Sequence, residues 1–78
     1  MNWREHIHAD PAILRGKPVF RGTRISVELM LERLSDGWDE AAIFKSYPGL
    51  SGDSVRAALA FAHDVIADQP EAARAVAA

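Results

Sequence analysis

The feature that most constrains this chain is a repeated succession of helix start, apolar stripe and helix stop between Ser26 and Pro70. Each stretch opens on a side chain whose oxygen can accept a hydrogen bond from the free N–H groups of a first helical turn. These openings are Ser26, Asp39 and Ser51. Gly37, the pair Pro48-Gly49 and Pro70 stand where the patterns end, and glycine and proline are residues that close helices. The sequence therefore predicts three short helices, over about 26–36, 39–47 and 51–69.

The apolar residues of the first and third predicted helices recur every three or four positions, which predicts a buried face on each. The first helix has its stripe at Val27, Met30, Leu31 and Leu34. The stripe predicted for the core face of the third helix consists of Val55, Ala58, Leu59, Ala62 and Ile66. Phe61 and Val65 fall on a second apolar face of the same helix. This face is a candidate contact with a partner chain, and packing of the N-terminal segment against it is the alternative.

Length and composition limit how this chain can be stabilised. A chain of 78 residues forms one domain, and it buries only ~60% of the surface that its unfolded form exposes. It has no cysteine, so disulfides and thiolate ligands are excluded, and we expect a homodimer to supply further stability. We expect one helix-turn-helix domain over residues 1–69 and a frayed or disordered tail over residues 70–78.

Enzymatic chemistry finds little support in the residues. Gly16-Lys17 lacks the Ser or Thr that follows the lysine of a phosphate-binding loop, because Pro18 stands there. Ser51 and Asp53 are explained by helix capping, and the histidines do not make an obvious metal site. No apolar run approaches the ~18 residues of a membrane span, and the first residues lack the apolar core of a signal peptide. The sequence thus predicts a cytoplasmic protein without enzymatic activity, cofactor or metal.

Positive charge is concentrated in the first third of the chain. The formal charge is +3 through Ser26 and −5 from Val27 onward. The basic part contains a segment bracketed by Gly16 and Gly22, whose missing β-carbons suit turns. Within it we expect a short, edge-like strand over residues 18–21, with a weaker strand near Ile7. The cations that make this segment a candidate anion-facing surface are Arg15, Lys17, Arg21 and Arg24.

The second and third predicted helices have the layout of a helix-turn-helix, with the first helix as support. In that layout the first exposed turns of the third helix enter the major groove of DNA. Candidate contacts there are Ser54 and Arg56, whereas Asp53 would repel phosphate. Further candidate contacts to phosphates or to a minor groove are Arg15, Lys17, Arg21 and Arg24. A plain three-helix bundle that does not bind DNA is the alternative.

The chain carries a series of short motifs between Ile7 and Asp64. They are Ile7, Asp10-Pro11, Ile13, Gly16-Lys17-Pro18, Gly22-Thr23-Arg24-Ile25, Val27, Gly37, Tyr47-Pro48 and the run from Ala57 to Ala62. Together they resemble the small bacterial family known as domain of unknown function 433, and the Gly-Lys-Pro followed by Gly-Thr-Arg-Ile is the most specific part. Phe20, where an aliphatic residue is usual, and Ser35-Asp36, in place of a more apolar pair, depart from the family pattern.

The resemblance implies a mainly α fold, in which a homeodomain-like helix-turn-helix of three helices follows a short β hairpin or strand. It also implies an antitoxin of a type II toxin–antitoxin pair that neutralises a PIN-like ribonuclease toxin by direct binding and represses its own operator DNA. Arg21 or Arg24 would then occlude the toxin's acidic metal-binding site, because a guanidinium group pairs bidentately with carboxylates. Phe61 and Val65 are the apolar candidates for the partner contact. The alternative is a dimeric protein-interaction module without nucleic-acid binding.

Overall fold

The computed structural model describes residues 1–68. In chain order these residues form a 3-10 helix at Trp3–Glu5, strand β1 at Ile7–His8, a tight turn at Leu14–Gly16, strand β2 at Val19–Phe20, and helices α1 at Val27–Ser35, α2 at Glu40–Ser46 and α3 at Gly52–Ala67. The predicted fold, three helices behind a short β element, is confirmed. No helix within residues 1–68 has the length and apolar character that crossing a membrane requires. The prediction of a frayed tail over residues 70–78 falls outside the described residues.

The predicted helix boundaries are confirmed within two residues, because short-range hydrogen bonds determine them. Ser26 Oγ accepts from the backbone N–H of Leu29 at 3.0 Å, and Asp39 Oδ1 accepts from that of Ala42 at 2.8 Å. These bonds satisfy donors that a first helical turn leaves free. Gly37 follows α1 with a φ of +91°, a conformation that strains any residue with a β-carbon.

Strand β2 is an edge strand, as predicted, because the sheet within residues 1–68 has two strands, β1 and β2. It pairs antiparallel with β1, where Ile7 lies opposite Phe20. On its other side Val19 bridges Ser26, and the N–H of Phe20 donates to the carbonyl of Ile25 at 3.1 Å. The chain after β2 turns back so sharply that it pairs with the strand it has just left. A pairing of this kind depends on the turn geometry and is not visible in the apolar pattern.

One apolar core joins the sheet to the helices. Its largest fully buried side chains come from β2, α1 and α2, and they are Val19, Val27, Met30 and Ile43. Helix α3 also packs against the N-terminal 3-10 helix, where the Trp3 ring lies edge-on to Phe61 with the ring centres 4.9 Å apart. The N-terminal segment therefore covers the Phe61 side of α3, which is the alternative stated from the sequence.

The predicted core stripe of α3 is wrong at two positions. Leu59 and Ile66 are 54% and 55% exposed, whereas Ala57 is fully buried. Because α3 is apolar on more than one side, its periodicity alone does not select the side that is buried. The packing of Trp3 on Phe61 determines which side is buried, because it leaves the opposite side of α3 facing solvent.

Candidate functional site

Four basic residues lie around strand β2, and we call this set the basic rim. It consists of Arg15, Lys17, Arg21 and Arg24, all exposed. Lys17 precedes β2 and Arg21 follows it, and an extended residue spans at most ~3.6 Å, so their α-carbons are at most about 14 Å apart. The structure therefore places the four cations predicted from the sequence around one small sheet.

The residues after β2 form a loop over residues 21–25, which we call the basic loop. Gly22 has a φ of +77°, so a glycine provides the left-handed corner. The Thr23 hydroxyl donates to the carbonyl of Phe20 at 2.8 Å and accepts from the N–H of Ile25 at 3.0 Å. This bonding explains the adjacent Gly and Thr, because one residue makes the corner and the other closes it. The two loop arginines are thus carried on a fixed backbone.

The basic loop also lies against the turn between α2 and α3. A β-carbon built on Gly49 would be 3.9 Å from Cγ2 of Thr23. Gly49 has a φ of +101°, as expected where a helix ends in a tight turn. The basic loop therefore approaches the turn between α2 and α3 at Gly49. Sequence reasoning missed this contact because no local signal connects two segments so far apart in the chain.

The cations of the basic rim differ in what holds them. Arg21 donates from Nε and Nη2 to the backbone carbonyl of Arg4 at 3.2 and 3.0 Å, so its guanidinium is fixed without being neutralised. Lys17 Nζ lies 3.5 Å from Glu28 Oε2 in an exposed pair, and such pairs are weak. Within residues 1–68, Arg15 and Arg24 make no ion pair and no side-chain hydrogen bond.

Arg15 lies in a left-handed turn that the sequence did not predict. Leu14 and Arg15 have φ values of +48° and +57°, and Gly16 completes the turn at +82°. Each non-glycine residue in this region costs ~1–2 kcal/mol, and such strain is often found at binding sites. Leu14, Arg15, Lys17 and Ser26 border a shallow open pocket. The strained turn thus adds Leu14 to the candidate site, beside the two cations that precede β2.

The two α3 candidates for DNA contact are occupied by interactions within the helix. Ser54 is only 8% exposed, and its Oγ accepts from the N–H of Ser51 at 3.1 Å, so it caps the helix and is not free for a base edge. Arg56 forms a hydrogen-bonded ion pair with Asp53. This hydrogen bond holds the pKa of the Asp53 carboxyl below its usual range. The first turn of α3 is therefore close to neutral and offers little attraction to phosphate.

The two apolar candidates for a partner contact have different surroundings. Phe61 is partly buried beneath Trp3, whereas Val65 is 40% exposed beside them. Trp3 Nε1 donates to Oδ2 of Asp64 at 2.8 Å, which ties the N-terminus to α3. This hydrogen bond is the largest cause of a lowered pKa at the Asp64 carboxyl, and the hydrogen bond with His63 is the second. Phe61 is thus covered by the chain's own N-terminus, and Val65 remains accessible.

These features define a small, mainly helical domain with an N-terminal β element and a cationic surface around it. The family described as "Protein of unknown function (DUF433)" matches residues 7–62, and the chain belongs to this family. A crystal structure of a DUF433 member protein from Anabaena variabilis is similar, with a TM-score of 0.69 and 26% identity over 92% of this chain and 68% of that chain. Comparison with curated proteins finds no match. The family resemblance stated from the motifs is therefore confirmed.

Proposed function

We propose that this chain is the antitoxin of a type II toxin–antitoxin pair and neutralises a PIN-like ribonuclease by binding it directly. The observation that carries the proposal is the basic loop. There Arg24 is exposed and makes no ion pair within residues 1–68, while Arg21 is held by a carbonyl and not by an acid. Guanidinium groups pair bidentately with carboxylates. The loop is therefore complementary to the acidic metal-binding site of such a ribonuclease.

The rigidity of the basic loop favours this use. Ordering a long side chain at an interface costs ~0.5–1.5 kcal/mol, and a fixed loop avoids part of that cost. The Thr23 hydroxyl closes the loop, and the two hydrogen bonds to Arg4 hold the Arg21 guanidinium before any partner arrives. Occlusion of a nuclease site by this loop needs no cofactor and no chemistry of its own. It would operate in the cytoplasm, where the toxin meets its RNA.

Replacing both Arg21 and Arg24 with alanine tests the role of the basic loop. We expect the affinity for the nuclease encoded beside this gene to fall at least about 100-fold, because truncating one partner of a desolvated charge pair costs ~2–5 kcal/mol. Ribonuclease activity should then return at a ratio of antitoxin to toxin that fully inhibits with the parent chain. Calorimetry and a fluorogenic RNA substrate measure the two effects. Lys45→Ala, which removes an exposed cation on α2, is the matched control and should neutralise normally.

Two outcomes separate the parts of this proposal. If the neighbouring gene encodes no small nuclease, or if the two products do not co-purify, the antitoxin function is wrong. If they co-purify and the Arg21→Ala, Arg24→Ala variant still neutralises, the basic loop is not the inhibitory element although the antitoxin function stands.

Operator DNA is the second partner in this proposal, and a dimeric protein-interaction module without nucleic-acid binding is the alternative. Helix α3 is poorly suited as a DNA-recognition helix, because Arg56 is paired with Asp53 and the exposed face carries Leu59 and Ile66. This favours the alternative. If DNA is bound, its phosphates would contact the basic rim. A mobility shift with the DNA upstream of the gene, at several salt concentrations, decides between them. A DNA binder loses affinity as salt rises, with a log–log slope of about −0.9 for each phosphate neutralised.

A further inference from the structure

Helix α3 exposes a stripe of residues that neither the core nor the basic rim uses. The members of this α3 stripe alternate at spacings of four and three, and they are Gly52, Arg56, Leu59, His63 and Ile66. This spacing places them along one face of the helix. Leu59 and Ile66 are 54% and 55% exposed, so the stripe combines two aliphatic side chains with a cation and a histidine. Two exposed aliphatic side chains seven residues apart on one helix face make this stripe a candidate contact surface.

We propose that the α3 stripe docks on the α3 stripe of a second copy of this chain, with the two helices antiparallel about a two-fold axis. In such a pair Leu59 of each copy contacts His63 and Ile66 of the other, and each contact occurs twice. The proposal is independent of the antitoxin function, because no residue of the basic rim takes part.

Charge favours a second copy in this orientation. Helices α1 and α2 carry Arg33 and Lys45 in their last turns, whereas the last turn of α3 has no basic residue and its C-cap is Asp68. A cation stabilises the negative end of a helix dipole. An antiparallel copy brings its Arg56 to this end and to Asp68, and it receives the same contact in return. A parallel copy would instead set Arg56 against Arg56.

The existing contacts of Arg56 permit this exchange. Its ion pair with Asp53 uses one guanidinium nitrogen, so the remaining N–H donors can contact Asp68 of the second copy while the pair with Asp53 stays formed. The interface itself is small, since α3 has 16 residues and is thus about 24 Å long. A standard interface buries ~800 Å² on each partner, so one helix face predicts a weak dimer whose population depends on concentration. The proposed dimer would also cover the face of α3 that a DNA-recognition helix inserts into the major groove.

Sedimentation velocity of the full chain, from about 1 μM to about 1 mM, tests the proposal. We expect monomer at the low end and dimer at the high end. Leu59→Glu should weaken association at least about tenfold, because every dimer loses two leucine contacts and gains two desolvated charges. Leu59 is exposed and Glu is a good helix former, so the monomer should keep its helical circular dichroism. Ala41→Glu introduces the same charge at an exposed position of α2 and should associate like the parent chain.

A pair of charge reversals tests the orientation. Arg56→Glu and Asp68→Arg each place like charges together at both ends of an antiparallel dimer, so each variant alone should associate weakly. Mixed in equal amounts, the two variants should form a heterodimer at least about tenfold tighter than either alone, because opposite charges then meet at both ends. An unrelated contact would not show this recovery. A parallel pair would show it, but each variant alone would then associate no more weakly than the parent chain, in which Arg56 already meets Arg56, so the weakening of both single variants identifies the antiparallel pair.

Three results would overturn the proposal. The first is a parent chain that stays monomeric across the whole range, which is expected if another segment of the same chain covers the α3 stripe. The second is a Leu59→Glu variant that dimerises as well as the parent. The third is a mixture of the charge-reversal variants that shows no preference for the heterodimer.

Discussion

Replacing Ile43 with alanine is expected to lower the free energy of unfolding by about 2–5 kcal/mol. Ile43 is the buried residue of α2, with 0% of its surface exposed, and it belongs to the core that also contains Phe20 and Met30. Truncation removes apolar contacts and leaves a cavity that the surrounding backbone fills only in part. A chain of 78 residues has roughly 4–12 kcal/mol in total. The urea concentration at the midpoint of unfolding should therefore be much lower for the variant than for the parent chain.

The matched control is the same substitution at an exposed isoleucine. Ile66 is 55% exposed on α3, so Ile66→Ala should change the free energy of unfolding by no more than about 0.5 kcal/mol. Urea denaturation followed by circular dichroism measures both variants, at a protein concentration low enough to keep the chain monomeric. Equal losses for the two variants would contradict the described core.

Trp3→Ala is expected to cost about 2–3 kcal/mol, which is less than full truncation of a buried aromatic because Trp3 is only partly buried. The ring lies edge-on to Phe61 at 4.9 Å, and the indole N–H donates to the Asp64 carboxylate at 2.8 Å. Loss of both contacts exposes the Phe61 side of α3 and frees the N-terminal 3-10 helix. Denaturation measures the loss, and faster amide hydrogen exchange in residues 2–8 should accompany it.

Trp3→Phe separates the hydrogen bond from the ring contact and has its own signature in pH. The indole N–H stabilises the charged Asp64 carboxylate and is the first cause of its lowered pKa, so this variant should raise that pKa towards its usual range. A lowered carboxyl pKa contributes stability that is present above the unfolded value and is lost as pH falls through the folded one. The stability difference between the parent and Trp3→Phe should therefore shrink below about pH 4.

Carboxyl NMR titration measures the Asp64 pKa directly, and a second tryptophan supplies the control. Trp38 stacks on Tyr47 with ring centres 6.3 Å apart. Within residues 1–68 its indole donates to no carboxylate. Trp38→Phe should therefore leave the Asp64 pKa unchanged. If both substitutions move that pKa alike, the hydrogen bond from Trp3 is not its cause.

Helix limits could be read from the sequence because their causes are local. Ser26 and Asp39 cap helices through bonds to residues only three positions away, and Gly37 closes α1 through its own backbone conformation. The positive charge of the basic rim could also be predicted from the sequence, because its cations and glycines lie in one short segment. The conformation of the basic loop could not be predicted, because the hydrogen bonds of the Thr23 hydroxyl form only once the turn has formed.

The limits of sequence reasoning are clearest in α3. Leu59 and Ile66 share one face of the helix and Phe61 lies on another, so the apolar pattern was compatible with more than one buried face. Ser54 looks like an exposed polar residue, and only its bond to the Ser51 N–H shows it to be a cap. The predicted core face of α3 and the predicted DNA contact at Ser54 failed for the same reason, because local interactions favour the two possible placements of a side chain about equally. A distant contact then decides between them.

The amino-acid sequence by itself determined where each helix starts and ends, where the backbone must turn, and that positive charge gathers before α1. These properties follow from interactions between residues a few positions apart. Only the tertiary structure decided which face of α3 is buried, which segments pair with β2, and which cations of the basic rim form an ion pair. Those outcomes depend on the docking of Trp3 on Phe61 and of Thr23 against Gly49, and contacts between such distant residues leave no periodic trace in the chain.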